Sequence, residues 1–241
     1  MILFTDFGPS GLYTGQMLAY LADRVPSVPV IDWLDDAPRQ NPKAAAYLLA
    51  AYSAVFPAGS VFLAVVDPGV GSDRPPAAVS AGGKWFVGPA NGLFEIIQRR
   101  TPDSAAHEIT WRPGRLSRTF HGRDLFAPVA GSLAAGESVE MEQRPPDWAR
   151  RPDWPDDLAE IVYIDSFGNA ITGIRAGTID GEIELTVKRR YVDHAETYSR
   201  VPPGEPFWYE NSNGLVEIAV NRGSAAERFD LGIGSPVGLG G

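Results

Sequence analysis

The segment VFLAVVDPGVG, residues 61–71, joins an unbroken apolar run to a turn rich in proline and glycine. Its first six residues are all apolar, a pattern typical of a strand that is buried on both of its faces. Such strands occur in sheets covered by helices on both sides, since a strand with one solvent-facing side alternates apolar and polar residues. The segment therefore predicts an α/β domain built around this strand.

On either side of this strand, short apolar runs alternate with helical patterns through the first 140 residues. Further strands are predicted at 2–4, 28–31 and 85–87, and helices at 15–24, 41–56, 93–100 and 125–135. This alternation indicates a mostly parallel sheet, because parallel strands need a long crossover that is usually a helix.

The second half of the chain has a different pattern. Residues 141–157 carry four prolines and many charges, which is typical of a linker or an extended crossover. After them, short strands are predicted at 161–164, 183–187, 207–209 and 216–220, separated by Gly, Asn and Pro turns. We therefore predict an α/β domain over residues 1–145, a Pro-rich linker over 146–157 and a small all-β domain over 158–241.

The composition excludes several classes of partner and site. The 241 residues carry a formal net charge of −9 and neither half is basic, which argues against binding to nucleic-acid phosphates or an anionic membrane. The chain has no cysteine and three histidines, so thiolate metal sites and cysteine nucleophiles are excluded, and a His-rich metal site is not expected. It has no apolar stretch of about 18 residues and opens without a signal-peptide pattern, so a cytoplasmic protein is expected.

Three polar clusters follow predicted strands or precede a predicted helix, where an α/β sheet keeps its active site. They are TDFG at 5–8, DPGVGSDR at 67–74 and FHGRD at 120–124. The signatures of phosphate loops, dinucleotide-binding turns, zinc proteases and nucleophile elbows do not occur in the sequence. The clusters therefore indicate a site of another kind at this edge of the sheet.

Each cluster has a chemical and a structural interpretation. Asp6 is suited to bind sugar hydroxyls, since a carboxylate accepts two hydrogen bonds from a diol, but it also suits a turn. Asp67 and Arg74 flank a loop held tight by Pro68 and two glycines, so they form either an ion pair of that loop or part of a site. His121 is a candidate general base, because the ordinary pKa of histidine lies near neutrality, or else an interior histidine.

The second half offers two more polar turns, DSFGN at 165–169 and NSNG at 211–214. Asn and Ser side chains can bind an adenine edge or the head group of an amino acid, although NSNG alone also fits a hairpin turn. Phe7, Trp33 and Phe167 lie close to polar motifs and are candidates to stack on a ring. Taken singly, these motifs leave both interpretations open.

Taken together, the motifs resemble those of the S-adenosylmethionine (SAM) hydrolase family, also called SAM hydroxide adenosyltransferases, which is related to the fluorinases and chlorinases. The resemblance rests on TDFG (5–8), VVDPGVGSDR (65–74), PANG (89–92), TFHGRDLFAPVAG (119–131), IDSFGNAIT (164–172) and NSNGLVEIAVNRGSA (211–225). It implies an α/β domain followed by a barrel-like β domain. It also implies a homotrimer in which SAM is held between the N-terminal domain of one subunit and the C-terminal domain of the next.

The resemblance further implies that water or hydroxide attacks the ribose C5′ of SAM, which releases adenosine and L-methionine. SAM is then the substrate, and neither a cofactor nor a metal is expected. The residues that would position the hydroxide are Asp67, Arg74 and His121. The residues that would hold the substrate are Asp6 at the ribose, Asp165 and Ser212 at the methionine end, and Phe167 and Asn169 at the adenine, with Asn211 beside them.

Two alternatives stay open. A halide transferase of the same fold would make 5′-halo-5′-deoxyadenosine, but such relatives differ at the Arg and His positions and carry an extra loop after DPGVG. Here Arg74 and His121 are present, and only nine residues separate Arg74 from Lys84, which favours water as the nucleophile. A non-catalytic adenosine- or SAM-binding protein is suggested by Ala90 and Asp35, where the family usually carries Asp and His.

Overall fold

The computed structural model describes residues 1–10, 12–180 and 183–240. The chain forms two compact units. The first consists of Met1–Leu49 and Phe56–Arg151, and the second of Ala50–Val55 and Pro152–Gly241. The first unit contains one mixed sheet with helices packed on it, and the second contains two smaller sheets.

Within the described residues, seven strands form the sheet of the first unit, in the order β2-β1-β3-β5-β4-β6-β7. The strands are β1 (Ile2–Thr5), β2 (Ile31–Leu34), β3 (Val61–Val65), β4 (Pro76–Ala81), β5 (Lys84–Pro89), β6 (Ala105–Ile109) and β7 (Met141–Gln143). Strands β2, β1, β3 and β5 run parallel, whereas β4, β6 and β7 pair antiparallel with their neighbours. The predicted α/β class is confirmed, with a parallel half and an antiparallel half.

Strand β3 lies in the parallel half, as its apolar sequence predicts. All of its residues are buried, and it pairs in parallel with β1 on one side and β5 on the other. Thr5 of β1 is in register with Val65 of β3. Asp6 and Asp67 therefore leave the sheet at the same edge, which is where open α/β sheets bind ligands.

Three strands of this sheet, β4, β6 and β7, are not predicted from the sequence. Strand β4 reads PAAVSA, and because alanine is a weak strand former, its conformation depends on pairing with β5 and β6 on its two sides. Strand β2 begins at Ile31 instead of Val28, since Ile31 pairs with Ile2 of β1. Within the predicted run, Pro29 lacks the N–H that a strand ladder needs.

The helices before residue 140 are α1 (Leu12–Arg24), α2 (Pro42–Tyr52), α3 (Glu95–Arg100) and α4 (Ala127–Ala134). Helix α2 follows Asn41, whose Oδ1 accepts a hydrogen bond from the Ala44 N–H at 3.0 Å, and a short 3₁₀ turn, Ser53–Val55, succeeds it. A π-helical turn, Gly122–Phe126, precedes α4, so the helix predicted at 125–135 becomes regular later than expected. None of the helices in the described part of the chain is long and apolar enough to cross a membrane.

The second unit holds a four-stranded antiparallel sheet in the order β12-β13-β9-β8 and a three-stranded sheet in the order β11-β10-β14, both within the described residues. Their strands are β8 (Leu158–Ile164), β9 (Ala170–Arg175), β10 (Leu185–Val187), β11 (Arg190–Val192), β12 (Pro206–Glu210), β13 (Leu215–Val220) and β14 (Val237–Leu239). One short helix, α5 (Ala225–Phe229), follows β13. In the core, buried Trp208 donates its Nε1–H to the carbonyl oxygen of Ile183 at 2.9 Å. The unit is mainly β, as predicted.

The buried carboxylate of Glu95 in helix α3 accepts hydrogen bonds from residues 150 and 151 at the end of the first unit. Glu95 is 1% exposed and accepts hydrogen bonds from the side chains of Arg99 and Arg150 and from the N–H of Arg151. Burial raises the pKa of Glu95, but the bonds from these arginines outweigh it and hold the pKa at about 2. Glu95 is therefore ionised at neutral pH, and it joins the end of this unit to α3.

Candidate active site

A cavity of about 620 Å³ opens in the first unit, where strands β1 and β3 end. Its lining residues are Asp6, Phe7, Tyr13, Arg39, Gln40, Val65, Asp67, Pro68, Val70, Thr119, Phe120, His121 and Gly122. Four residues singled out from the sequence line it, namely Asp6, Phe7, Asp67 and His121. The three separate polar clusters of the sequence thus meet at one cavity.

Asp67 and Arg74 form an ion pair at the end of β3. Arg74 donates from Nη2 to Asp67 Oδ2 at 2.6 Å, and from Nη1 to the carbonyl oxygen of Pro75 at 2.7 Å. The side chains are 4% exposed for Asp67 and 10% for Arg74, so the pair is largely withdrawn from water. Burial lowers the pKa of Arg74, and the carboxylate of Asp67 opposes that shift. A guanidinium starts from so high a pKa that Arg74 stays charged.

Each partner of this pair keeps one buried atom that has no hydrogen-bond partner among the described residues. These atoms are an acceptor, Asp67 Oδ1, and a donor, Arg74 Nε. Unsatisfied buried polar atoms are costly to fold, and a catalytic role is one of the reasons why they persist. The guanidinium of Arg74 packs over the buried ring of Phe126, with 5.5 Å between its carbon and the ring centroid, which supports its orientation.

His121 stands at the start of the π-helical turn Gly122–Phe126. Turns of this kind are frequent at functional sites. A Cβ on Gly122 would lie 3.3 Å from the ring of Phe120 and 3.4 Å from the ring of Phe7. Glycine therefore lets the backbone next to His121 pack closely against these two rings.

The imidazole of His121 is neutral at neutral pH. Burial lowers the pKa of His121 below its ordinary value of 6.5, and the positive charge of Arg74 lowers it further, while Asp67 acts in the opposite direction. A neutral imidazole has one ring nitrogen free to accept a proton. His121 can therefore act as a base at pH 7.

Asp6 follows β1 and is held by the loop that precedes α2. The backbone N–H of Gln40 donates to Asp6 Oδ2 at 2.9 Å, and Gln40 itself adopts a left-handed conformation with φ 53°. Burial raises the pKa of Asp6, and the hydrogen bond from Gln40 opposes that shift. Arg39 and Gln40 reach the cavity from a loop that the sequence did not mark, because nothing local in that loop signals where it folds.

A second cavity, of about 960 Å³, lies in the second unit. Its lining residues are Tyr52, Tyr163, Asp165, Phe167, Asn169, Ile171, Tyr198, Tyr209, Asn211, Ser212, Glu217, Val220, Arg222, Gly223 and Ser224. All five substrate-binding residues predicted in this half are among them: Asp165, Phe167, Asn169, Asn211 and Ser212. The four tyrosines and Glu217 were not predicted.

The loop 165–169 is fixed by its own hydrogen bonds. Asp165 Oδ1 accepts from the N–H groups of Phe167 and Asn169 at 2.9 and 2.8 Å, and its Oδ2 accepts from Asn169 Nδ2 at 2.9 Å. Gly168 has φ 82° and passes so close to Ser224 that a Cβ would lie 2.1 Å from the Ser224 Oγ. The ring of Phe167 is 79% exposed on this fixed backbone, which suits it to stack on a planar ligand.

The side chain of Asn211 is fully engaged within the protein. Its Oδ1 accepts from the N–H groups of Asn213 and Leu215 at 3.0 and 3.1 Å. Its Nδ2 donates to Tyr52 Oη at 3.2 Å and to Glu217 Oε2 at 3.0 Å. A side-chain amide offers two donors and two acceptor positions, so these four bonds account for all of them. Asn211 therefore shapes the turn that follows it.

Glu217 is a buried carboxylate in strand β13, whose other residues are all apolar. Its Oε1 accepts from Tyr209 Oη, which lies 3.4 Å from Tyr198 Oη. Burial raises the pKa of Glu217, and the hydrogen bonds from Tyr209 and Asn211 oppose that shift. A single acid inside an apolar strand is a signal that could have identified this residue from the sequence.

The predicted site residues thus fall into two sets, one in each unit. The first set contains a buried ion pair and a neutral imidazole, which together can hold and deprotonate a water molecule. The second set contains an exposed ring, amides, a hydroxyl and a carboxylate, which can hold a planar polar ligand. Across the described ranges, no three His, Asp or Glu side chains are grouped as metal ligands.

Two family models match the chain. The model described as the SAM hydroxide adenosyltransferase N-terminal domain matches residues 1–143, and the model of the corresponding C-terminal domain matches residues 159–238. Together they cover most of both units.

Individual relatives agree with these models. An (R)-S-adenosyl-L-methionine hydrolase from Thermus thermophilus is 40% identical over 255 residues, covering 98% of this chain and 97% of the relative. A fluorinase from Actinopolyspora mzabensis is 24% identical over 289 residues, covering 97% and 94%. The solved structure of an uncharacterized conserved protein from Thermotoga maritima is 29% identical, covers 99% of this chain and 100% of its own, and superposes with a TM-score of 0.89. The chain therefore belongs to the SAM hydroxide adenosyltransferase family.

Proposed function

We propose that this protein hydrolyses (R)-S-adenosyl-L-methionine to adenosine and L-methionine. A bond forms between a water oxygen and the ribose C5′, while the C5′–S bond breaks and its electron pair goes to sulfur. One water proton stays on the new 5′-hydroxyl and the other is released. The observation that carries the proposal is the buried Asp67–Arg74 pair, with its unpartnered carboxylate oxygen, at the cavity that His121 also lines. The names of the hydrolase relatives support the reaction and the choice of the (R) epimer.

Asp67, Arg74 and His121 position the water and take its proton. The water donates one O–H to Asp67 Oδ1, an acceptor with no other partner among the described residues. Arg74 holds that carboxylate in place through a charge-assisted hydrogen bond of 2.6 Å. The neutral imidazole of His121 accepts the second proton as the oxygen attacks C5′.

The positive sulfur of SAM supplies the leaving group. When an oxygen that carries developing negative charge attacks the carbon bonded to the sulfonium sulfur, two opposite charges cancel. A site that excludes water therefore favours the transition state over the separated ions. In this scheme neither a metal nor a cofactor has a role, because the charge on sulfur already activates the C5′–S bond.

The nucleoside part of SAM contacts both sets of residues. Asp6 accepts hydrogen bonds from the ribose hydroxyls, since its Gln40 bond leaves one carboxylate oxygen free of that contact. The exposed ring of Phe167 stacks on the adenine, and Asn169 lies beside it on the same loop.

The methionine part is held by Asp165 and Ser212. Asp165 Oδ2 accepts one hydrogen bond from Asn169, so it keeps an acceptor position for the ammonium group. The Ser212 Oγ is exposed on the turn that begins at Asn211 and donates its O–H to Asn213 Oδ1 at 2.9 Å. Rotation of this hydroxyl would redirect the O–H to the substrate carboxylate. Because the four bonds of Asn211 are internal, we assign it the role of shaping this turn.

The proposal needs one SAM molecule to contact both sets of residues. We infer a homotrimer in which SAM lies between the N-terminal domain of one subunit and the C-terminal domain of the next, as the family resemblance implies. Light scattering on the purified protein tests this, because it is expected to give a mass three times that of the chain. A cytoplasmic location stays a prediction from the sequence.

Incubation with each sulfur epimer of SAM, followed by chromatography, tests the reaction. We expect equal amounts of adenosine and methionine, formed faster from the (R) epimer. Asp67→Asn is expected to lose activity by about tenfold or more, which corresponds to about 1.4 kcal/mol of transition-state stabilisation. Asp73→Asn is the matched control, since Asp73 is an exposed carboxylate of the same loop. Release of no adenosine from either epimer would contradict the proposal.

The same incubation separates water from halide as the nucleophile. A halide ion cannot donate a hydrogen bond to Asp67 Oδ1, and the carboxylate charge repels it, whereas water donates to that oxygen. We therefore expect no 5′-chloro-5′-deoxyadenosine when the mixture contains chloride. Its appearance would favour a halide transferase.

A further inference from the structure

Three aromatic rings meet in the cavity of the first unit, and the hydrolytic steps described above use none of them. The ring centroids of Tyr13 and Phe120 are 5.0 Å apart, those of Phe7 and Tyr13 are 5.5 Å apart, and those of Phe7 and Phe120 are 6.0 Å apart. All three residues line the same cavity as Asp67 and His121. We call Phe7, Tyr13 and Phe120 the aromatic cluster.

The cluster lies next to the attacking groups. Phe7 and Phe120 pack on Gly122, directly after His121. Phe120 is 7% exposed, whereas Tyr13 is 48% exposed, so Tyr13 is the member with the most ring surface open to a ligand. An aromatic ring attracts cations through the negative charge on its face. One cation already takes that place on the cluster, since the guanidinium carbon of Arg123 lies 5.0 Å from the Phe120 centroid.

We propose that the aromatic cluster, chiefly through Tyr13, recognises the sulfonium cation of SAM and so selects a charged sulfonium over a neutral thioether. This inference rests on the proposed function, because it places C5′ beside Asp67 and His121. The sulfonium sulfur is bonded directly to C5′, so it is the cationic atom that lies nearest to the cluster. Desolvated sites make such cation–π attraction strongest.

The charge on sulfur disappears during the reaction, which determines how the cluster contributes. Attraction to the sulfonium is present in the bound substrate and weakens as the C5′–S bond breaks. It therefore lowers KM without raising kcat. It is also lost in the product methionine, whose sulfur is neutral, and this favours product release.

The test compares SAM with its neutral thioether analogue, S-adenosylhomocysteine, by calorimetry. Tyr13→Leu is expected to weaken SAM binding by roughly three- to thirtyfold, the range of cation–π attraction from exposed to desolvated sites, and to leave thioether binding within about twofold of wild type. Tyr13→Phe keeps the ring and is expected to restore the preference for the sulfonium. Tyr20→Leu removes another ring of the same helix that lies outside this cavity, so it is expected to keep wild-type affinities. SAM is kept intact during the titrations by a His121→Ala background.

The outcomes separate this inference from the proposed function. Equal weakening of SAM and thioether binding by Tyr13→Leu would mean that the ring only packs against the ligand, which overturns the inference. No weakening of either would overturn it as well. If wild type hydrolyses no SAM but binds it better than the thioether, and Tyr13→Leu abolishes that difference, the cluster is a sulfonium site and only the proposed reaction fails.

Discussion

Replacement of Arg74 by methionine is expected to destabilise the first unit strongly. The ion pair with Asp67 is almost fully buried, with side-chain exposures of 10% and 4%, and Asp67 Oδ1 already lacks a partner among the described residues. Removal of Arg74 would leave an uncompensated carboxylate in a site withdrawn from water. Breaking a buried pair in this way costs about 3–5 kcal/mol. For a chain of this size that lowers the midpoint of thermal unfolding by roughly 6–20 °C.

A double variant distinguishes the ion pair from simple loss of packing. In Arg74→Met with Asp67→Asn, no charge is left behind, so the double variant is expected to be more stable than Arg74→Met alone. Its hydrolytic activity should stay as low as that of Arg74→Met, because the carboxylate charge is gone as well. Between these two variants, stability is therefore predicted to recover while activity does not.

The assay is thermal unfolding followed by circular dichroism, with SAM turnover measured on the same samples. Arg144→Met is the control, since Arg144 pairs with Glu108 at the same distance of 2.6 Å but both side chains are more exposed. That variant is expected to unfold close to wild type, as surface ion pairs contribute little. If Arg74→Met and Arg144→Met shift the midpoint equally, or if the double variant is the least stable of the set, burial of the Asp67–Arg74 pair does not make its loss more destabilising.

Three other predictions follow from the same structure. Because the pKa of His121 is lowered and its neutral form accepts the proton, kcat/KM is expected to be flat near pH 7 and to fall only at a pH lower than the ordinary histidine value of 6.5. A rise on acidification would contradict this. Glu95 has a pKa of about 2 against 4.5 in the unfolded chain, so its ionised form should add about 3 kcal/mol to the free energy of unfolding above pH 4.5, and this contribution is lost towards pH 2. In urea titrations, Glu95→Gln should therefore lose less stability than wild type between pH 4.5 and pH 2. Gly168→Ala would place a Cβ 2.1 Å from Ser224 Oγ at a positive φ, so it should displace the substrate-binding loop 165–169 and raise KM severalfold. Gly177→Ala is the control and should leave KM unchanged, since Gly177 has open space around it.

The parts of the fold that the sequence predicts well are those specified by local pattern. Strand β3 is predicted by its apolar run alone, and it is buried along its whole length. Strand β4 has no such pattern, since PAAVSA forms a strand only because β5 and β6 pair with it from both sides. Strand β2 is predicted in the right region but at the wrong residues, because its limits depend on register with β1.

The site residues likewise divide into those that a local sequence pattern predicts and those that it does not. Asp6 and Asp67 could be chosen from the sequence because each lies within two residues of the end of a strand, and parallel strands end at one edge. Tyr13 and Gln40 could not, because they reach the cavity from a helix and a loop whose placement is set by packing across the unit. The saturated hydrogen bonding of Asn211 was also beyond the sequence, since an asparagine in a turn is equally compatible with binding a ligand and with holding the turn.

A single cation, Arg74, acts on two neighbours that the mechanism needs in their deprotonated forms. It stabilises the anionic carboxylate of Asp67 through a direct hydrogen bond, and its charge lowers the pKa of His121. The water that attacks C5′ needs both effects, because it must donate a hydrogen bond to a carboxylate and lose its other proton to a neutral imidazole. Without Arg74 the pKa of His121 should rise. As the pH is lowered, the residual activity of Arg74→Met is therefore expected to begin its decline at a higher pH than the activity of wild type. Arg74→Lys keeps the charge and should leave the acid limb of the pH–activity profile near its wild-type position, although the loss of the planar guanidinium still lowers kcat. If the acid limbs of Arg74→Met and wild type coincide, Arg74 does not control the imidazole, and its role is restricted to Asp67.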